Sequence, residues 1–322
     1  MTTQKEKIKE ITEQLEQGIK DLFNSKKFKT YLDTMSKFHN YSFNNTILIA
    51  MQRPDATYVA GYKAWEKFER HVNKGEKGIK IIAPAPYKKK VDEEVKDAAG
   101  NLVYNKDGTV KTEKVEHIIP SFRVTTVFDL AQTSGKELPS IVKKLDNSID
   151  AETFDNFMDA IKKYSPVSIN FDNITSGANG FYSLESKTIT IKNDMTNDQT
   201  IKTAIHEVAH SILHDKDTGT EKDNKLSNRD REVQAEAVAY TVCQHFGFDT
   251  SDYSFGYIAG WSSGKELDEL KVSMQTIREC ANNMICGILA EYNKLERNTE
   301  MEEKMEGPSL TEPTLHHHKI KM

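Results

Sequence analysis

The chain has 322 residues, 37% hydrophobic and 29% charged, with a formal net charge of −5. That length is enough for two domains with their own cores. No run is long and apolar enough to span a membrane, and the first 23 residues lack the apolar core of a secretion signal. Cys243, Cys280 and Cys286 form no CxxC pair and no even framework, so a reducing, cytoplasmic setting without a membrane partner is expected.

The helical spacing of Ile8, Ile11, Leu15, Ile19 and Leu22 predicts one or two amphipathic helices over residues 4–35. Residues 41–51 predict a further helix, ended by Arg53-Pro54. A short helix is expected over 65–73, then a turn bracketed by Gly75 and Gly78, then a strand over 79–82. Residues 91–119 predict a charged β-hairpin turning at Asp107-Gly108, and 122–128 a strand rich in β-branched residues. Residues 132–147 are expected to be a linker.

The second half opens with a predicted helix over 151–164, a strand over 167–171 and a hairpin from 180–182 and 187–192. Helices follow around residues 201–213 and over 228–246, the latter stopped by Gly247, and a last one over about 265–295. From about 298 the tail is charged and expected to be disordered, and His316, His317 and His318 within it read as a tail accident or cloning remnant rather than a metal site. Gly260 to Lys265 hints at a phosphate loop. Its glycines are one residue too close and Glu266 replaces the required Ser/Thr, so a turn is expected. No repeat is evident. The expected fold class is α+β in two domains: 1–131, a linker over 132–147, 148–297, and a tail over 298–322.

Within the helix near 201–213 lies His206-Glu207-Val208-Ala209-His210, a HExxH motif. One helical turn separates the histidines, so both rings lean toward one point and can share a zinc-like ion. Glu207 sits where a carboxylate can hold a water at that ion and take its proton. Thr196 and Gln199 fit a capping box, and Ile201, Ala204, Ile205, Val208, Ala209, Ile212 and Leu213 give the helix a packed apolar face. The bland alternative is a pair of surface histidines beside a solvated glutamate.

A catalytic zinc takes three protein ligands and leaves one position open. Leu213 and Lys216 stand where one metalloprotease class needs Gly and His, which excludes that class. The next helix carries Glu232 and Glu236 one turn apart on a shared face. Glu236 is flanked by Ala235, Ala237 and Ala239, which allow close helix approach, so it is the expected third ligand. Glu232 is the expected outer partner, orienting a histidine. His214 lies two turns from His206, too far along one helix to join the same ion, and is expected in the core or behind the ligands. Tyr240 and Tyr182 are candidate donors to a developing oxyanion.

HEVAHSILH, followed by an RExxAEAxAY helix, resembles the ImmA/IrrE-like metallopeptidases and the peptidase half of ArdC-type antirestriction proteins. Residues 41–88 and 122–139 look like the single-stranded-DNA-binding domain of the ArdC type. The resemblance spans about residues 10–295 in the right order; 88–117 match no fixed family pattern. It implies an antirestriction protein of a conjugative element that binds single-stranded DNA. It also implies a gluzincin-like peptidase centre with His206, His210 and Glu236 on the metal and Glu207 as catalytic carboxylate. Zinc is the expected ion, with manganese as the alternative; the protein substrate is unknown. Two rival readings are a DNA-binding protector with a structural metal site and a regulatory peptidase that cleaves a repressor.

Charge is uneven: residues 1–145 hold 26 Lys+Arg against 19 Asp+Glu, and 146–322 hold 18 against 30. A basic first half suggests a polyanion partner. Single strands are bound by aromatic stacking over a basic groove. Residues 41–90 interleave Tyr41, Phe43, Tyr58, Tyr62, Trp65 and Phe68 with Arg53, Lys63, Lys67, Lys74, Lys77 and Lys80. By themselves those aromatics fit a core equally well. With the resemblance, Tyr41, Asn45, Tyr62, Trp65 and Lys77 are the expected DNA contacts, without sequence-specific readout.

Overall fold

The computed structural model describes residues 3–22, 25–137, 151–215, 226–248, 255, 258–262 and 265–305. The chain forms two compact units. One comprises residues 1–141 and 254–275; the other comprises 142–253 and 276–322. It is a two-unit α+β architecture, as expected, but the chain returns to the first unit after the HExxH region.

The first unit opens with α1 (Gln4–Asp21), capped reciprocally by Thr3 and Glu6, and α2 (Ser25–Lys37). α3 (Phe43–Gln52) starts at the Ser42 cap. There follow β1 (Val59–Gly61), α4 (Tyr62–Lys67), β2 (Arg70–Val72), β3 (Ile79–Pro84), β4 (Tyr87–Glu94), β5 (Thr112–Ile119), β6 (Phe122–Asp129) and β7 (Thr133–Gly135). β6 lies between β1 and β3 in an antiparallel sheet. Ile49 of α3 packs with Val59, Ile79, Ile81 and Val127 of that sheet to form the core.

β3 is an edge strand, and α3 closes part of that edge with two side-chain amides. Asn45 donates to the Ile82 carbonyl and accepts from the Ile82 amide, each at 2.9 Å. Gln52, two turns on, does the same with Lys80, again at 2.9 Å each way. These amides replace the hydrogen bonds of a missing strand.

Two expectations are corrected by one pairing. The helix expected over 65–73 ends early: Glu69 takes φ 57°, and Arg70–Val72 runs antiparallel to Thr133–Gly135. The linker expected from 132 therefore begins as ordered chain. Gln132 is buried, and Arg70 reaches the Thr133 hydroxyl at 2.8 Å and its carbonyl at 3.0 Å. Residues 138–147 of the expected linker lie outside the described residues. The long-range strand pair was not visible because neither strand exceeds three residues.

The hairpin over 91–119 is present as β4 paired with β5, but it holds two turns rather than one. The first closes on Lys96 and Leu102, the second on Tyr104 and Val110. Asp97 and Asn105 hold equivalent places: each accepts, through its carbonyl, from a glycine three residues on, Gly100 at φ 83° and Gly108 at φ 81°. Val103 donates to Val95, Lys111 to Val103, and Val95 to Lys111, closing a ring of backbone bonds. This is a short repeat of eight residues that composition alone did not expose.

The second unit holds α5 (Ala151–Tyr164), β8 (Ser168–Asp172), β9 (Gly180–Ser183), β10 (Thr188–Lys192), α6 (Asn197–Leu213) and α7 (Asn228–Phe246). β10 is central, parallel to β8 and antiparallel to β9. α6 begins where the Thr196 hydroxyl accepts from the Gln199 amide, and α7 stops at Gly247, left-handed at φ 84°. α7 carries an almost continuous buried stretch from Val233 to Cys243, as a helix covered on most sides must. α8 (Ile258–Ser262) belongs to the first unit, where Phe255 meets Phe28 edge-on at 5.2 Å. Trp261 of α8 is also buried. α9 (Leu267–Met305) starts in the first unit and continues into the second, and its backbone runs eight residues into the expected tail. His316, His317 and His318 lie outside the described residues. None of the helices searched among the described residues is long and apolar enough to cross a membrane.

Candidate metal centre

The Nε2 atoms of His206 and His210 face each other at 3.1 Å. Glu232, near the start of α7, places one carboxylate oxygen 3.6 Å from His206 Nε2 and the other 3.5 Å from His210 Nε2. Among the described residues, these three form the only group whose nitrogen and carboxylate donors lie within 4.8 Å of one another. Two imidazoles and one carboxylate are a donor set for a divalent transition ion, so the residues present fit a metal.

This group differs from the expected metal set. Glu236 was expected and Glu232 was placed behind the histidines; the structure gathers Glu232 with them instead. Both glutamates share one face of α7, so small flanking residues could not choose between them. The choice depends on how far α7 is slid along α6. Glu236 stays nearby, lining the cleft on the far side of His206 and Glu207 with Gln199, Lys202 and Thr203.

A buried polar pair that the sequence reading did not contain joins the end of α6 to α7. His214 Nδ1 lies 2.9 Å from His210 Nδ1, and its Nε2 lies 3.1 Å from Gln234 Oε1 on α7. Both His214 and Gln234 are buried. His214 is thus behind the ligands, as expected. Its partner Gln234 could have been suspected only as a polar residue within an apolar helix.

Glu207 is only 8% exposed. Burial pushes its carboxyl above the usual range, against the pull of His206, His210 and a backbone hydrogen bond from Tyr182. Burial pulls His206 down, but its hydrogen bond to Glu232 and the charge of Glu207 outweigh that and leave it raised. The adjoining rings of His206 and His210 hold Glu232 far below the ordinary carboxylate range. Burial takes His214 down to about 4, so this ring is neutral at neutral pH.

β9 walls the cleft. A Cβ on Gly180 would lie 2.6 Å from Thr203 Cγ2 and 3.3 Å from Glu207 Cγ, so glycine lets the strand pass this close to the Glu207 side chain. Phe181, Leu184, Asn228 and Arg231 complete the lining beside the histidines. The two tyrosines weighed as oxyanion donors fare differently. Tyr240 is fully buried within α7, outside the cleft. Tyr182 lines the cleft, but its hydroxyl donates to Asp215, which Lys187 also grips at 2.7 and 2.8 Å.

The expected DNA contacts divide in the same way. Trp65 is 0% exposed and donates to the Phe128 carbonyl at 3.0 Å, so it has no face to offer a base. Asn45 is committed to β3, and Tyr41 is half-buried with its hydroxyl on the Val59 carbonyl at 3.2 Å. Tyr62 is 52% exposed and Lys77 is exposed, which leaves both able to meet a strand.

Two family models match successive parts of the chain, and the second runs through residues 254–275, which cluster with the first unit. Residues 2–128 match the family model of the N-terminal domain of anti-restriction factor ArdC. Residues 163–278 match a peptidase family model described as the IrrE N-terminal-like domain. The fold and site thus define a two-domain α+β protein with a peptidase-like second domain. Residues 2–128 thus belong to the ArdC-type N-terminal domain family and residues 163–278 to the IrrE-like peptidase domain family. An uncharacterised protein of Bacillus anthracis is 30% identical over 92% of this chain and 54% of its own length. The chain thus spans about half the length of that curated relative. The metal-free crystal structure of antirestriction protein ArdC from plasmid R388 is 20% identical, covers 80% of this chain and 86% of that one, and has a TM-score of 0.45. Its Mn(II)-bound form is 17% identical over 87% and 97%, with a TM-score of 0.49.

Proposed function

We propose that this chain is an antirestriction protein that binds single-stranded DNA through its first unit and carries a divalent-metal peptidase centre in its second. The observation that supports the second part most directly is the convergence of His206, His210 and Glu232 beside the buried Glu207. His206, His210 and Glu232 would hold the ion, zinc first and manganese second. When bound, such an ion acts as a Lewis acid toward a water and a peptide carbonyl.

The chain's own residues supply the rest. Glu207, held between β9 and the histidines with a raised pKa, takes a proton from the attacking water and passes it to the departing amine nitrogen. Gly180 keeps β9 against Glu207, and the walls of the cleft limit its access to water. Arg231 and Asn228 bring polar donors to the same cleft. The protein substrate is a partner of unassigned identity, and the setting is the cytoplasm.

For the first unit, the ArdC-type N-terminal domain and the exposed Tyr62 and Lys77 support binding of a single strand by stacking and charge. The test compares wild type with Glu207→Gln. Cleavage of a cellular protein and protection of single-stranded DNA from restriction should both fail in the variant, while DNA binding persists. Full protection by Glu207→Gln would remove the peptidase step from the function.

A further inference from the structure

A neutral histidine has one N–H and one lone pair, and only a lone pair can ligate a metal. For His210 to present Nε2 toward His206 and Glu232, its proton must sit on Nδ1. That nitrogen faces His214 Nδ1 at 2.9 Å, so the other end of His214 decides the matter. His214 Nε2 faces Gln234 Oε1 at 3.1 Å. An amide oxygen only accepts, so His214 Nε2 carries the hydrogen and His214 Nδ1 is a lone pair. His214 Nδ1 then accepts from His210 Nδ1–H, which leaves His210 Nε2 a lone pair and, in the metal-free protein, makes His206 Nε2–H the donor across their 3.1 Å contact.

We propose that Gln234 and His214 form a tautomer-setting relay that presents His210 as a metal ligand, with Gln234 the positioning residue at its head. The proposal rests on the metal-centre reading above and adds a residue joined to that centre through two histidines. The relay runs across the α6–α7 contact, so it couples the seating of Glu232, two residues before Gln234, to the readiness of His210. Reversing the Gln234 amide reverses every bond in the chain. Its NH2 would donate to His214 Nε2, His214 Nδ1–H would donate to His210 Nδ1, and His210 would place its proton on Nε2, facing the ion. The two settings are mutually exclusive and distinguishable.

The deciding measurement is a long-range nitrogen–proton NMR spectrum of the imidazoles of the full-length, metal-free protein at pH 7.5. The relay predicts His210 in the Nδ1–H form and His214 in the Nε2–H form. His210 in the Nε2–H form overturns it, whether or not the protein binds an ion. The second arm titrates zinc alone, then manganese alone. Gln234→Glu keeps an acceptor and should hold affinity within about threefold, whereas Gln234→Leu should lose about 10- to 100-fold. Equal affinities for the two variants overturn the relay. Failure of wild type to bind either ion overturns the metal-centre reading, while the tautomer spectrum still decides the relay. If Gln234→Leu does not fold, the wild-type spectrum remains decisive.

Discussion

At the scale of single residues, the chemistry proposed for the second unit rests on His206, His210, Glu232 and Glu207. Glu207 is placed to move a proton and lies outside the ligand group. Glu207→Gln should therefore keep the bound ion and lose hydrolysis by roughly 10²- to 10⁴-fold, checked by metal content beside turnover. His214 gives a pH signature with a definite sign. Its pKa is about 4 folded, against an ordinary histidine value near 6.5. Below pH 6.5 the unfolded chain takes a proton that the folded one refuses, so stability falls from about pH 6.5 to about 4 and then levels. The slope is at most about 1.4 kcal/mol per pH unit. His206 is shifted the other way and offsets part of this. The clean measurement is therefore the difference in metal-free denaturation between wild type and His214→Gln, which should narrow as pH falls through that window. A difference that widens would contradict the neutral, buried ring. HExxH was legible at this scale because one turn of helix is a local rule. That Glu232 rather than Glu236 gathers with the histidines was not, because it depends on the sliding of one helix along another.

At the scale of elements, sequence periodicity located most helices well. α5, α6 and α7 were legible because caps and stops mark them: the Thr196 hydroxyl at the start of α6 and left-handed Gly247 at the end of α7. Strands of three residues were not legible, since β2 and β7 gain their bonds only from each other across the chain. Asn45 was an expected DNA contact on the family resemblance, yet both ends of its amide are engaged with Ile82 at the edge of β3. Asn45→Leu should cost about 1–3 kcal/mol, because it strands the N–H and C=O of Ile82, and a chemical melt would read this out. Single-strand affinity should be unchanged if measured well below the melting point. In contrast, Tyr62→Ala should weaken single-strand binding by about 1–3 kcal/mol with little change in stability, since that ring is half-exposed.

At the scale of the whole molecule, the split of a basic first half from an acidic second half survives as two compact units, but the boundary is not a single cut. Residues 254–275 belong with the N-terminal unit. Phe255 of this segment meets Phe28, and its Trp261 is buried. A fragment ending at residue 145 should therefore melt lower and less cooperatively than the first unit within the intact chain. Adding residues 254–275 in trans should raise its melting point; no change would contradict that assignment. Sequence order hid this because an excursion of more than 100 residues separates the two parts of one unit. The account depends most on which three side chains meet, and a metal-binding comparison tests that directly. Zinc stoichiometry is measured for wild type, Glu232→Ala and Glu236→Ala. The prediction is one ion in wild type and in Glu236→Ala, with binding lost in Glu232→Ala. Retention by Glu232→Ala with loss in Glu236→Ala would contradict the centre described above.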